Sequence, residues 1–417
     1  MRLGCLVVIS TTTFAAAPLA AQRSLVVRPI GSITKVSASG LLGSVSAVRA
    51  LPGGGVIVHD LSRRQLLLLD STFALKVAIA DTTVATNRSY NSAVAGLLQY
   101  RGDSSLFVDP QPLLMLVIDE NGVVARVAAV PRPEDANFMI GGPFGTPGVD
   151  ARGRFVYRGL LRPNMAGATT GAPDPGQPFR MPEVPDSAPV LRVDLETRAT
   201  DTVAFIKIPS ASISVTSANS GYRTSVKINP MPIVDDWALM PDGRIAVVRG
   251  QDYHVDWFDA AGRWISTGKL EYHWERLDDD AKQRVVDSAT TEWQREREKL
   301  TKLIPGGSSA SATPSSRPGR QQFQVPNYVF VTAHELPDYR PAFRQGAARA
   351  DADGRLWVRT TAPTDAGAIY DVIDANGLLV ERIKLPYGRV IAGFRPGIVY
   401  MGVQDEQGAR LEKANVR

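Results

Sequence analysis

Short β-rich runs and tight turns alternate along almost the whole chain. One unit recurs: an apolar run, a turn containing Gly, a second run, a variable stretch, a third run, an Asp-x-x-Gly-like turn and a fourth run. The turn residues fit because tight hairpins need positive-φ positions that Gly, Asn and Asp tolerate. The first copy is VSAVRALPGGGVIVHDLSRRQLLLLDSTFALKVAIA, Val45 to Ala80, and the second is GLLQYRGDSSLFVDPQPLLMLVIDENGVVARVAAV, Gly96 to Val130. The third begins TPGVDARGRFVYRGL at Thr146, is interrupted by a Pro/Gly-rich stretch, and resumes as APVLRVDLETRATDTVAFI, Ala188 to Ile206. The fourth spans Asp236 to Leu270 and the fifth Gly346 to Leu385, while the sixth, Arg389 to Val416, offers three strands.

Four-stranded units that cannot bury both faces alone, repeated around a common centre, predict an all-β chain of propeller blades. The segment SLVVRPIGS, Ser24 to Ser32, precedes the first copy and is the expected donor of the strand missing from the sixth. Pairing the two termini in one blade removes an exposed edge and gives a six-bladed, four-stranded antiparallel ring. A helical excursion is expected between the fourth and fifth copies, over 271–345. There ERLDDDAKQRVVDSATTEWQREREKL places Leu277, Ala281, Val285, Ala289 and Trp293 on one face at i, i+4 spacing. Asp278, Asp279 and Asp280 at its start and Lys299 and Lys302 near its end suit the helix dipole. The following IPGGSSASATPSSRPGRQQ has the composition of a flexible linker.

The run VIVHDLSRRQLLLLDSTF resembles an NHL-type blade, in which a strand ends in Asp, a short basic loop follows, and the next strand ends in Asp before a turn. The resemblance extends through the copies at Asp236 and Gly346, and the chain is similar to the six-bladed TolB-like propeller superfamily. That superfamily includes scaffolds, ligand binders, lactonases and lyases, so the resemblance implies a fold rather than a function.

The amino terminus adds a compartment. Met1-Arg2, the apolar run Leu3 to Ile9 and the small residues ending in Ala20-Ala21 read as a secretory signal over 1–21, cleaved after Ala21. The apolar stretch is too short for a transmembrane anchor and is broken by Ser10, three threonines and Pro18. Cys5 is the only cysteine and would leave with that segment, so the mature domain, 22–417, is expected to rely on its core alone in the periplasm or outside the cell. With Lys+Arg 47 against Asp+Glu 42 and no basic run of the nucleic-acid type, no nucleic-acid partner is expected.

The connections are unequally furnished. Turns joining first to second and third to fourth strands are uniformly short. The other end of each unit carries the 81–95, 131–145 and 207–235 connections, the Pro-rich loop Arg162 to Pro189 and the 271–345 excursion. Long loops on one end of a rigid scaffold are the place to expect binding. All four histidines, His59, His254, His273 and His334, fall at that end, with no pair at metal-ligand spacing. No Gly-x-Ser-x-Gly elbow, His-Glu-x-x-His or complete phosphate loop occurs, and GGPFGTPG at Gly141 reads as a turn-rich connection.

The recognition candidates at or beside the second-to-third-strand loops are His59, Asp60, Arg249, Asp252, Tyr253, His254, Arg359 and Asp365. Asp60 has a competing role in capping its own loop. Arg249 and Arg359 are read as matching positions of the fourth and fifth copies, and Tyr253 and His254 are the least explained by the repeat. The expectation is a monomeric exported propeller with a loop-and-helix cap that binds a protein, peptide or carbohydrate and needs no cofactor. The rival is a lactonase-like, metal-dependent hydrolase or lyase with a divalent metal in the channel.

Overall fold

The computed structural model describes residues 25–83, 90–164, 166, 168, 184–218, 221–303, 327–362 and 367–417. The signal segment and the expected linker therefore lie outside the described residues. Among the described residues the chain forms seven sheets and one long helix.

Six of the sheets follow the sequence repeat. The first joins Ala47–Ala50, Val56–Asp60, Gln65–Leu69 and Leu75–Ala80 as an antiparallel meander, and the second joins Gly96–Gln99, Ser105–Asp109, Leu114–Ile118 and Val124–Ala129. The third uses Gly148–Val149, Arg154–Arg158, Ser187–Asp194 and Thr200–Lys207; the fourth uses Asp236–Leu239, Ile245–Arg249, His254–Phe258 and Trp264–Ser266. The fifth contains Phe343–Ala350, Leu356–Thr360, Ile369–Ile373 and Leu379–Lys384, and the sixth Arg389–Arg395, Ile398–Asp405 and Gly408–Asn415.

Second strands such as Val56–Asp60 and Ser105–Asp109 are buried at every position, because sheets cover both of their faces. Successive sheets share apolar layers. Ile57 and Leu66 meet Phe107 and Leu116, Leu106 and Met115 meet Phe155 and Tyr157, and Val156 and Val190 meet Trp237 and Val247. Val248 and Val255 then meet Leu356 and Val358, Trp357 and Tyr370 meet Val399 and Met401, and Tyr400 and Leu411 of the sixth sheet meet Val58 and Leu67 of the first. Each layer removes large aliphatic and aromatic side chains from water, at about 1.5–3 kcal/mol for each one fully buried. The arrangement is that of a β-propeller.

The amino-terminal strand differs from expectation. Within Ser24 to Ser32, Val27–Pro29 pairs in parallel with the outer strand of the fifth sheet, Val27 opposite Arg382 and Pro29 opposite Lys384. The strand laid antiparallel on Gly408–Asn415 of the sixth sheet is the next one, Ile33–Val36. The first ladder closes on the Ile30 N–H, which donates to the Lys384 carbonyl at 3.0 Å. Gly31 then passes so close to the Asn415 carbonyl that a Cβ there would sit 2.5 Å from its oxygen, so a glycine is needed where the chain crosses between sheets.

The seventh sheet was not anticipated. Ala211–Ala218 and Gly221–Ile228 form a hairpin inside the 207–235 connection, and Asn327–Phe330, returning from the 271–345 excursion, pairs in parallel with the hairpin's second strand. Helix α1 (Asp279–Leu303) packs on this sheet. The Trp293 ring lies 4.6 Å from that of Tyr328, and Ala281, Val285 and Val286 cover Met231, Leu277 and Leu336. Leu277 contributes to this cluster from just before the helix. The first turn is capped by Asp278, whose carboxylate accepts the Ala281 N–H at 2.7 Å.

Candidate functional site

Buried carboxylates hold the connections of the loop end to the sheets. At the end of the first sheet's second strand, Asp60 accepts the N–H groups of Gly43 at 2.7 Å and Ser44 at 2.9 Å, together with the Ser44 hydroxyl and the Arg63 N–H. Asp109 does the same in the second sheet for Asn91 and Ser92. In the third and fourth sheets the carboxylate moves into the connection itself. Asp135 accepts the Leu160 N–H, and Asp235 accepts the Gly250 and Lys207 N–H groups. These carboxylates fix where the loops leave the scaffold.

This geometry assigns the candidate residues. Asp60 is fully buried and engaged by its own loop, the capping role weighed against recognition. His59 is 1% exposed, and its Nε2 lies 2.8 Å from the Tyr90 hydroxyl; burial lowers its pKa to about 4, so the ring is neutral in the core. Tyr253 has no exposed surface. It holds φ at 52°, in the left-handed region, and its hydroxyl donates to Asp371 at 2.9 Å. His59, Asp60 and Tyr253 thus support the loops from beneath and present nothing to a ligand.

Asp252 and His254 do meet. His254 Nδ1 is 2.6 Å from Asp252 and its Nε2 is 3.2 Å from Asp256, with Lys269 3.7 Å from Asp252. Arg249 lies between Asp235 at 2.8 Å and Asp256 at 2.7 Å. Its cation is already compensated. Asp365 lies outside the described residues. The matching of Arg249 to Arg359 is corrected by strand register: Leu239 pairs Ile245 while Ala350 pairs Leu356, so Arg359 corresponds to Val248 and Thr360 to Arg249. A one-residue offset in a strand reverses the face, and Arg359 is exposed where Arg249 is half-buried. His273 and His334 are exposed and do not join His59 or His254. Among the described residues no group of three His, Cys, Asp or Glu side chains is placed to hold a metal ion.

What the loop end does contain is a cleft of about 180 Å³ between the base of the 207–235 connection and the segment entering the fifth sheet. Pro209, Pro230, Pro232 and Pro341 wall it, and Arg340, Arg344, Gln345 and Thr361 supply its polar groups. Proline walls are stiff and carry no N–H, so polar recognition falls to the side chains. Arg340 is bidentate to Glu275, at 2.6 and 3.2 Å, which ties the excursion's entry to its return. Arg344 is exposed and has no ion-pair or hydrogen-bond partner among the described residues.

Behind the cleft, Thr361 donates to the Pro341 carbonyl and meets the Tyr272 hydroxyl at 3.3 Å. Tyr272 packs edge-on to Tyr253. Asp371, whose pKa burial raises, also receives Arg382, which reaches on to the Glu271 carbonyl. Neither Arg340 nor Arg344 was singled out from sequence. The available signal was the proline-flanked run LPDYRPAFRQ immediately before the fifth copy.

The sequence matches no protein family and no curated protein. Among solved structures the chain is similar to a DUF4221-family protein from Bacteroides vulgatus, with 8% identity, coverage of 93% of this chain and 97% of that one, and a TM-score of 0.47. It is also similar to virginiamycin B lyase from Staphylococcus aureus, with 9% identity, 91% and 99% coverage and a TM-score of 0.40. A third likeness is to the Cps50 (Swd1) β-propeller domain of Myceliophteria thermophila, with 12% identity, 92% and 100% coverage and a TM-score of 0.38. No residue role passes from these proteins to this chain, and the propeller arrangement rests on its own strand pairings.

Proposed function

We propose that the chain is an exported, six-bladed propeller of NHL and TolB-like type that binds a ligand at its loop end, the cleft around Arg344 being the site. In this reading the sixth blade is closed by the amino-terminal strand, and the module of hairpin, Asn327–Phe330 and α1 forms one wall of the binding end. The observation that carries the proposal is an arginine without an ion-pair or hydrogen-bond partner among the described residues, on a proline-walled cleft where two long connections meet. A free guanidinium matches a carboxylate or another oxyanion bidentately. The ligand is accordingly a protein, peptide or carbohydrate presenting a negative group. Signal cleavage after Ala21 would deliver the domain outside the cytoplasm; among the described residues no helix is long and apolar enough to cross a membrane.

Screening purified protein against acidic peptides and uronic-acid oligosaccharides tests this. Binding that is lost in Arg344→Ala and kept in Asp353→Ala, at the opposite end, supports the site. Elemental analysis of the same preparation addresses the enzymatic alternative, because one stoichiometric divalent metal per chain would favour the metal-dependent hydrolase.

A further inference from the structure

A second cation at the loop end has no counter-charge among the described residues. Arg158 ends the second strand of the third sheet and is 6% exposed. It has no hydrogen bond or ion pair among the described residues, and its Nε is buried without a partner. Its guanidinium lies against two aromatic rings, the carbon 4.9 Å from the Phe138 ring centre and 5.1 Å from that of Phe144. The nearby carboxylate is not available. Asp135 is fully buried and already accepts from Arg132 at 2.6 Å, from the Leu160 N–H at 2.7 Å and from the Tyr157 hydroxyl.

Arginine does not escape burial by losing its proton, so a buried guanidinium without an anion is costly unless a ligand supplies one. The two rings offer cation–π attraction but leave the Nε–H unsatisfied. Both rings are half-buried, stand edge to face at 4.8 Å, and flank the exposed Gly142 and Pro143. The site is held rigidly: the Trp237 indole donates to the Phe144 carbonyl at 2.9 Å, and Gly145 at φ 95° lies so close that any Cβ would strike that indole. Arg158, Phe138 and Phe144 do not line the Arg344 cleft.

We propose that Arg158 anchors the carboxylate of a small ligand whose apolar body rests on Phe138 and Phe144. This is a site separate from the cleft and does not depend on it. A carboxylate on the guanidinium together with an apolar body on the two rings selects an amphiphilic monocarboxylate over a free inorganic anion. Benzoate, acetate and benzyl alcohol are suitable probes, added to the full chain at constant ionic strength while the melting temperature is followed.

Benzoate should raise the melting temperature saturably, acetate should do so more weakly, and the neutral alcohol should not. Arg158→Met should abolish the benzoate shift yet melt, without ligand, no lower than the unsubstituted protein, because an unpaired buried charge has been removed. Arg344→Ala should keep the shift, which separates this site from the cleft. Should the methionine variant not fold, Arg158→Lys retains the charge and loses the planar fork, and should weaken benzoate on the order of tenfold. A benzoate shift that survives in Arg158→Met, keeps its full affinity in Arg158→Lys, or is absent from the unsubstituted protein, overturns the proposal.

Discussion

The Tyr253 hydroxyl donates a 2.9 Å hydrogen bond to the Asp371 carboxylate, joining the loop of the fourth sheet to the third strand of the fifth. Both groups are buried. Tyr253→Phe removes the donor and leaves a buried acceptor short of a partner, which should lower stability by about 1–3 kcal/mol. Asp371→Asn combined with Tyr253→Phe should cost less than the two single changes added, and denaturant melts of all three variants measure that coupling. Strict additivity would mean that the bond contributes nothing.

His59 sets an acid limit. Its folded pKa is depressed to about 4, so it contributes stability that is fully present above its unfolded value near 6.5 and is lost as pH falls through about 4. Relative to His59→Gln, the unsubstituted protein should lose stability progressively over that window. Parallel pH profiles of the two proteins would contradict the buried, neutral imidazole.

Asp236 acts in the opposite sense. Its carboxylate accepts the Ala348 N–H at 2.7 Å between the inner strands of the fourth and fifth sheets, and complete burial raises its pKa to about 7. A raised carboxyl contributes stability that is fully present below its unfolded pKa near 4 and is lost as pH rises through about 7. Asp236→Asn, which cannot titrate, should therefore gain on the unsubstituted protein between pH 5 and pH 8 by an amount on the order of a few kcal/mol. Chemical melts at the two pH values decide it, and an unchanged difference would rule out the neutral carboxyl.

The amino-terminal strands make separable contributions. Deleting residues through Pro29 removes three pairs from the edge of the fifth sheet, whereas deletion through Val36 also bares the edge of Gly408–Asn415. The longer truncation should cost several kcal/mol more than the shorter, on the order of a lost strand's packing. Equal melting temperatures for the two would exclude Ile33–Val36 as the closing strand.

Much of this was legible in sequence because blade strands are local. The Asp-Gly turns at Asp242 and Asp353, the unbroken apolar run Val56 to Val58 and the i, i+4 face of α1 each declare themselves within a short stretch of sequence. The hairpin Ala211–Ile228 shows strand-like alternation around Ile213 and Val215, but it lies outside the repeat and so reads as part of the 207–235 connection. Other features depend on partners distant in the chain. Tyr253 reads as a recognition candidate beside a loop until Asp371 is placed against it, and Arg344 differs from the compensated Arg249 and Arg340 only through neighbours that the fold brings together. The one-residue offset of Arg359 shows the same limit, since facing depends on the pairing partner and not on the motif.

The central claim is that the loop end, through Arg344, holds an anionic ligand. Its most direct measurement is the melting-temperature response of the full chain to a panel of acidic peptides and uronic-acid oligosaccharides, run beside Arg344→Ala and Asp353→Ala. The account predicts at least one saturable upward shift that disappears in Arg344→Ala and persists in Asp353→Ala. A shift that Arg344→Ala retains and Asp353→Ala abolishes would place binding at the opposite end and contradict it.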